Sequence, residues 1–214
     1  MTLESSKTLG GIGAILLFIG LIPFAGPYLG IVALVGFILV LVALHGLANY
    51  YKETGIFNNA LYGFVAAIVG VVAAVVAAIY VIFYTSILTD FLHKIYPSWN
   101  GSWSSLAGLT PNTSNITLKD VTPVLGAIFS VLAILWIFLI ISAFFNRRSL
   151  KMLSAKASVG LFSTAGLLLI IGAILAIVLI GLLLMWIAVL LIAIAFFQIK
   201  PQPEQPLAPA APPP

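Results

Sequence analysis

Three asparagines in this sequence have the chemistry of a modification site. Asn100, Asn112 and Asn115 each stand two residues before a serine or threonine, in the triplets NGS, NTS and NIT. The Asn-x-Ser/Thr triplet is the acceptor of N-linked glycans, which are added only outside the cell or in a lumen. All three lie in one polar stretch, residues 99–120. We predict glycosylation of at least one of these asparagines; the alternative is that a loop rich in Asn, Ser and Thr contains such triplets by chance.

Patterns typical of catalysis or metal binding are missing from the sequence. It has no His-Glu-x-x-His, no nucleophile elbow, no phosphate-binding glycine loop and no cysteine. Its two histidines, His45 and His93, fall near opposite membrane faces in the topology derived below, so they cannot share a metal ion. We therefore predict that the protein is not an enzyme and holds no cofactor or metal. A membrane-embedded enzyme is the third and least favoured reading.

The composition requires a membrane around the chain. Hydrophobic residues make up 63% of the 214 residues and charged residues only 7%, whereas a soluble domain has about 25% charged residues. We predict an all-α, polytopic transmembrane helical bundle with no soluble domain. The net charge of +4 favours an anionic lipid surface over nucleic acid as a partner.

The uncharged runs are too long for single crossings. Residues 9–48 would form a helix of roughly 60 Å, and the hydrocarbon core is only about 30 Å thick. The run should therefore fold back, where Pro23 and Pro27 interrupt the helix and Gly26 permits a turn. Residues 158–198 predict a second hairpin for the same reason. The chain then has two end hairpins and two central spans, near 8–24, 28–47, 59–88, 121–145, 158–175 and 179–198.

Basic residues orient these six spans. With both termini in the cytoplasm, the loop 89–120 is extracellular and holds only Lys94 and Lys119 of the nine basic residues. An excess of Lys and Arg on the cytoplasmic side is the expected asymmetry, so we predict a multi-pass protein of the cell membrane. The main topology anchors are Arg147, Arg148, Lys151 and Lys156.

The third span has a stripe of small residues at every fourth position. Such a stripe lets another helix approach closely in lipid. Packing inside the same bundle is the commoner use, and assembly with another subunit is the functional alternative. The stripe consists of Ala66, Gly70, Ala74 and Ala78.

The proline-rich tail, residues 201–214, cannot build a core. Its prolines at 203, 206, 209 and 212 recur every three residues, the period of polyproline II. We predict a disordered cytoplasmic spacer, with a docking strip for a partner as the alternative.

Three segments resemble a known family. SKTLGGIG at 6–13, GIFNNALYG at 55–63 and GLFSTAGLLLIIGAI at 160–174 are similar to the domain-of-unknown-function 996 family of mostly archaeal membrane proteins. The resemblance covers about 6–198 and leaves the tail outside. It implies a multi-pass membrane protein from an archaeal source, where surface N-glycosylation is common. It brings no established activity, so no functional residue is carried over.

Two functions fit these observations. The leading hypothesis is a non-catalytic subunit or scaffold of a cell-envelope membrane assembly, with membrane lipids and other subunits or itself as partners and glycans on its outer loop. The alternative is a passive channel or carrier for a small neutral or apolar solute. The spans lack interior charges, which argues against an ion-driven transporter. A passive path would need a cavity lined by Ser130, Ser142, Ser163 and Thr164, with His45 as a further candidate.

Overall fold

The computed structural model describes residues 2–22 and 28–201. Within these ranges the chain is helical and has no strand. Two short 3₁₀ turns, Trp103–Gly108 and Ala176–Val178, accompany the α-helices. The helices are α1 Leu3–Gly20, α2 Leu29–Tyr50, α3 Thr54–Tyr84, α4 Ile87–Ile95, α5 Leu118–Ala157, α6 Gly160–Leu175 and α7 Ile180–Gln198.

Six helices in the described ranges are long and apolar enough to cross a membrane. They are α1, α2, α3, α5, α7, and α6 together with the 3₁₀ turn that follows it. This confirms the predicted all-α class with six membrane-spanning helices. The residues predicted to break the first hairpin, Pro23, Gly26 and Pro27, lie outside the described residues, as does the tail from 202 onward.

Both central helices differ in extent from the predicted spans. α3 begins at Thr54 instead of 59 and ends at Tyr84 instead of 88. α5 does not end at 145 but continues to Ala157. The added segment, NRRSLKMLSAKA, contains neither glycine nor proline and consists mainly of good helix formers, so nothing in it ends the helix. At 40 residues, α5 is roughly 60 Å long, twice the hydrocarbon thickness of about 30 Å.

The chain divides into two compact units. Unit 1 contains the residues up to Tyr62 and those from Phe144 onward, and unit 2 contains Gly63–Ala143. Unit 1 therefore holds both terminal hairpins, the start of α3 and the end of α5. Unit 2 holds the remainder of α3 and α5, with α4 and the polar segment between them.

In each terminal hairpin of unit 1, a glycine of one helix faces a glycine of the other helix. A Cβ added to Gly13 on α1 would lie 2.8 Å from the carbonyl oxygen of Gly36 on α2, and a Cβ on Gly36 would lie 2.6 Å from the oxygen of Gly13. On α6 and α7 a Cβ on Gly172 would lie 2.7 Å from the oxygen of Gly181, and one on Gly181 would overlap the oxygen of Gly172. The paired helices therefore touch backbone to backbone.

Aromatic rings connect α1 and α6 to α7. Gly10 on α1 leaves room for the ring of Phe196, and Gly11 leaves room for the ring of Phe197. Phe196 also meets Phe162 of α6 edge to face, with 5.2 Å between the ring centroids, a favourable aromatic geometry. Both rings are fully buried, together with Leu47, Ile56, Leu153 and Ile199.

Three connections between helices turn at a residue other than glycine in the left-handed region. Lys52, with φ 53°, lies between α2 and α3. Ser158, with φ 56°, follows α5, and Leu179, with φ 63°, precedes α7. This conformation normally favours glycine. At Lys52 it is accompanied by hydrogen bonds that close the helix end, including Glu53 N–H to the carbonyl of Ala48 at 2.9 Å.

We expect Gly172→Ala to lower the unfolding temperature of the detergent-solubilised protein. The new methyl group would meet the backbone of Gly181 as well as the Met185 side chain, and overpacking of this kind costs about 1–3 kcal/mol. The measurement is the midpoint temperature at which monodisperse protein is lost on heating.

Gly126→Ala on α5 is the matched control. A Cβ there meets nothing within 4 Å, and alanine is a better helix former than glycine by about 1 kcal/mol. Its midpoint should equal or exceed that of the wild type. Equal midpoints for the two variants would contradict the backbone contact.

Candidate functional site

All three predicted glycan acceptors are exposed on the segment between α4 and α5, in unit 2. The Asn100 side-chain oxygen accepts hydrogen bonds from the Ser102 N–H at 3.0 Å and the Ser105 hydroxyl at 2.8 Å. The Asn112 oxygen accepts from the Ser114 N–H at 3.1 Å. The side chains of Asn100 and Asn112 thus each bind the backbone N–H of the residue two positions later, as in an Asx turn. These hydrogen bonds involve the side-chain amide oxygen. They do not involve the amide nitrogen, which is the atom to which a glycan is attached.

The base of this segment is folded onto the end of α4. Trp99 is buried, and its indole N–H donates to the carbonyl of Ser102 at 2.7 Å. Its ring lies against His93, with centroids 4.8 Å apart. Farther along, the Asn112 N–H donates to the carbonyl of Ile95 at 2.7 Å. The acceptor asparagines therefore extend from a packed base.

α4 is a short amphipathic helix that begins two residues before the stretch predicted as the extracellular loop 89–120. Nine residues are too few to cross a hydrocarbon core that needs about 20, and a helix with one apolar and one polar side suits the plane of a membrane interface. Lys94, near its end, forms an ion pair with Asp120 at the start of α5. Its apolar residues are Ile87, Leu88, Phe91, Leu92 and Ile95, and its polar residues are Thr89, Asp90, His93 and Lys94.

The small-residue stripe of α3 is already used inside unit 2. A Cβ on Gly70 would overlap Phe138 of α5, and Ala74 is buried. Ala66 is half-buried, and Ala78 lines a cleft that α5 also lines. Gly70 and Ala74 therefore pack within the chain, whereas the use of the whole stripe stays a prediction.

The predicted topology anchors lie on the last turns of α5, in unit 1. The Arg148 guanidinium lies 5.7 Å from the ring centroid of Phe144. Lys156 pairs with Glu53 at 3.5 Å. Arg147 packs its backbone against Gly166 of α6. Lys151 is exposed. Three of these four cations therefore contact other residues of unit 1.

A buried polar contact joins the start of α3 to the end of α5, and sequence reasoning missed it. The Ser149 hydroxyl donates to the carbonyl of Ile56 at 2.6 Å, and Ser149 is 1% exposed. Nearby, the Asn59 amide donates to the carbonyl of Gly55 at 2.7 Å and to the sulfur of Met152 at 3.8 Å. The sequence shows Ser149 only as a hydroxyl within a basic stretch, with no sign of its partner 93 residues away.

Two other polar side chains of unit 1 lie near the α2–α3 connection. The ring of His45 is hydrogen-bonded to Asn49, one helical turn on, at 3.2 Å, and it contacts Phe57 edge to face. Tyr51 is buried, and its hydroxyl has no hydrogen-bond partner among the described residues. Burial raises the pKa of Tyr51, and neighbouring Tyr50 adds to the rise. Tyr51 is therefore a neutral phenol at physiological pH.

The residues proposed to line a solute path are divided between the two units. Ser130 and Thr164 are exposed, and each bonds a carbonyl of its own helix, at 2.8 Å and 3.4 Å. Ser163 is exposed, whereas Ser142 is buried. Ser130 and Ser142 belong to unit 2, and Ser163 and Thr164 belong to unit 1. Across residues 2–22 and 28–201, no three His, Asp or Glu side chains are grouped to hold a metal ion.

Unit 2 has two adjoining hollows. One is an apolar cleft of about 280 Å³ between the end of α3, the start of α4 and the first half of α5, with Ala78, Leu88 and Val131 in its wall. The other is a polar hollow of about 270 Å³ that contains two carboxylates and two ammonium groups. Ile87 forms part of both walls. The charged side chains are Asp90, Lys94, Lys119 and Asp120.

Comparison with known proteins gives two matches of sequence. The profile of a family described as "Protein of unknown function (DUF996)" matches residues 32–190, which is more than half of the chain. An uncharacterised protein of Methanocaldococcus jannaschii, MJ1644, is 29% identical over 199 residues, covering 93% of this chain and 94% of the relative. No solved structure matches the chain.

We expect Ser149→Ala to destabilise the protein by about 0.5–1.5 kcal/mol, the usual net value of one hydrogen bond. The substitution removes the only side-chain donor that the described residues offer to the carbonyl of Ile56. Thermal unfolding in detergent measures the effect. Ser130→Ala is the control, because that exposed hydroxyl bonds only its own helix. Similar behaviour of the two variants would show that the contact between α3 and α5 contributes nothing.

Proposed function

This chain belongs to the DUF996 family of proteins of unknown function, and we propose that it serves as a non-catalytic subunit or scaffold of a cell-envelope membrane assembly. In this proposal the polar segment between α4 and α5 carries N-linked glycans on the outer side. The partners are membrane lipids and other membrane subunits, or further copies of the chain.

The observation that carries the proposal is how the chain uses its polar side chains. The Ser149 hydroxyl and the Trp186 indole N–H each donate to a backbone carbonyl on another helix, the latter to Phe18 at 3.0 Å. The Asn59 amide donates to a carbonyl of its own helix, and the hydroxyl of Thr85, the residue after α3, donates to the carbonyl of Val81 in α3. Groups engaged in this way hold helices in place and stabilise the fold. A structural role fits this use better than a chemical one.

The surface of unit 2 supports an assembly role. The outer faces of α3 and α5 are broad and apolar, with Val76 61% exposed, Phe83 67% and Phe129 66%. In a membrane such faces contact lipid tails or the helices of another protein. The polar segment at the end of the same unit offers a different kind of surface, because its asparagines are exposed and its base is packed.

The sidedness of this arrangement can be tested by cysteine labelling, because the natural chain has no cysteine. Ser104→Cys lies on the polar segment and Lys151→Cys on α5, both at exposed positions. We expect a membrane-impermeant maleimide to label Ser104→Cys in intact cells and Lys151→Cys only after permeabilisation. The reason is that basic residues are retained on the cytoplasmic side.

Labelling of both variants after permeabilisation is the control for reactivity. Labelling of Lys151→Cys alone in intact cells would invert the topology and remove the glycans from the proposal. Labelling of both in intact cells would contradict six complete crossings.

The assembly role predicts that the protein isolated from its own host in mild detergent brings the same companion subunits in repeated preparations, or is itself an oligomer. The intact mass should exceed the sequence mass, and Asn→Gln substitution at 100, 112 or 115 should remove the excess stepwise at each occupied site. The measurements are companion identification and intact mass from one preparation.

Asn58→Gln is the matched control, because Asn58 is exposed but outside any Asn-x-Ser/Thr triplet. Its mass should change only by the substitution. A lone monomer without reproducible companions would refute the assembly role, and a wild-type mass equal to the sequence mass would refute the glycans. The two outcomes are independent.

A further inference from the structure

The geometry of unit 2 points to a binding site for one phospholipid whose headgroup carries both a phosphate and an amine. We propose that one hydrocarbon chain of this lipid lies in the apolar cleft and that the headgroup lies in the polar hollow beside it. The site goes beyond the structural role proposed above and does not depend on it. It is also independent of which membrane face the polar segment occupies.

The apolar cleft has the chemistry and length of a lipid-chain site. All of its lining residues are apolar, so a hydrocarbon chain leaves no polar group unsatisfied there. Along α5 the lining runs from Val124 to Leu132, about 12 Å of helical rise. One leaflet of the hydrocarbon core is about 15 Å deep. The cleft therefore follows α5 through most of one leaflet.

α4 places the junction of the two hollows at headgroup depth. Its amphipathic pattern suits the interface between hydrocarbon and water, and Ile87 and Leu88 at its start close the cleft at that level. Asp90, one turn further along, opens into the polar hollow. A lipid with its chain in the cleft has its headgroup at this hollow.

One ion pair in the hollow is already complete. The Lys94 ammonium pairs with the Asp120 carboxylate. Asp120 also accepts hydrogen bonds from the Thr117 N–H at 3.0 Å and the Thr117 hydroxyl at 2.8 Å. Three hydrogen bonds thus engage both oxygens of Asp120, and the charge of Lys94 is compensated.

The two remaining charges determine which headgroup fits. Among the described residues neither Lys119 nor Asp90 forms an ion pair, and both are exposed. The open ammonium complements a phosphate, and the open carboxylate complements a protonated amine. A headgroup with both charges pairs with both residues, whereas an anionic headgroup without an amine would face Asp90 at a cost in repulsion.

The test is native mass spectrometry of the full chain in detergent, titrated with phosphatidylethanolamine or with phosphatidylglycerol of the same chains. We expect one phosphatidylethanolamine to be retained in preference to phosphatidylglycerol. Lys119→Gln should weaken its retention about tenfold, the effect of losing one hydrogen bond to a charged group. Lys151→Gln, an exposed lysine on unit 1, should leave retention unchanged.

A second pair of variants tests the cleft. Ala127→Phe fills it, because Ala127 is in the lining, whereas Ala133→Phe places the same ring on the same helix outside the lining. Retention should fall in the first variant and persist in the second.

Equal retention of the two lipids, wild-type retention by Lys119→Gln, or equal retention by the two Phe variants would each overturn the proposal. So would displacement of the lipid by soluble glycerophosphoethanolamine, because the cleft would then contribute nothing. Lys119→Gln alters an exposed side chain, so its result stands even if Ala127→Phe does not fold.

Discussion

Close backbone contact between helices is the interaction on which this structure depends. Lipid tails are as apolar as leucine, so helices in a membrane gain little from covering one apolar side chain with another. They gain instead from dense van der Waals contact. The glycine pairs Gly13–Gly36 and Gly172–Gly181 bring the helices of both terminal hairpins to that contact, and Gly70 does the same for α3 and α5 in unit 2.

Aromatic rings and a few side-chain hydrogen bonds add to the helix contacts that the glycines allow. The Trp186 ring stacks on Phe18 with 4.2 Å between centroids, while its N–H reaches the backbone of the same residue. Phe196 fills the space that Gly10 leaves. Small residues and aromatic residues therefore occupy complementary positions on facing helices, and few polar groups are needed to fix the register.

The gross architecture followed from one comparison of lengths. Uncharged runs twice as long as the membrane is thick had to reverse, and this gave six spans and an all-α fold, as found. The extents of the central helices did not follow, because charge marks where a helix leaves hydrocarbon and not where it ends. α5 passes its first arginines and continues, since no residue before Ser158 breaks it.

The individual contacts between helices, and the residues at which the chain turns, could not be predicted from the sequence for a different reason. Ser149 bonds a carbonyl far away in sequence, and Lys52 and Leu179 turn the chain where glycine would be expected. Pairings of this kind depend on which helices become neighbours. The spacing of the small-residue stripe likewise predicted a close helix contact, but it did not identify α5 as the partner helix.

The turn between α6 and α7 has a consequence for the bilayer itself. Ile177, Val178 and Leu179 are 67%, 61% and 72% exposed, so the surface at the tip of this hairpin is apolar. Its backbone bonds are made internally, including the Leu179 N–H to the carbonyl of Ala176 at 3.0 Å, so it can remain submerged. Together with the 3₁₀ turn that follows it, α6 forms a span of 19 residues, about 30 Å long, which matches the hydrocarbon depth of about 30 Å. Because residues 177–181 are all apolar or glycine, a thicker bilayer would enclose the tip, whereas a thinner one would expose it to the headgroups.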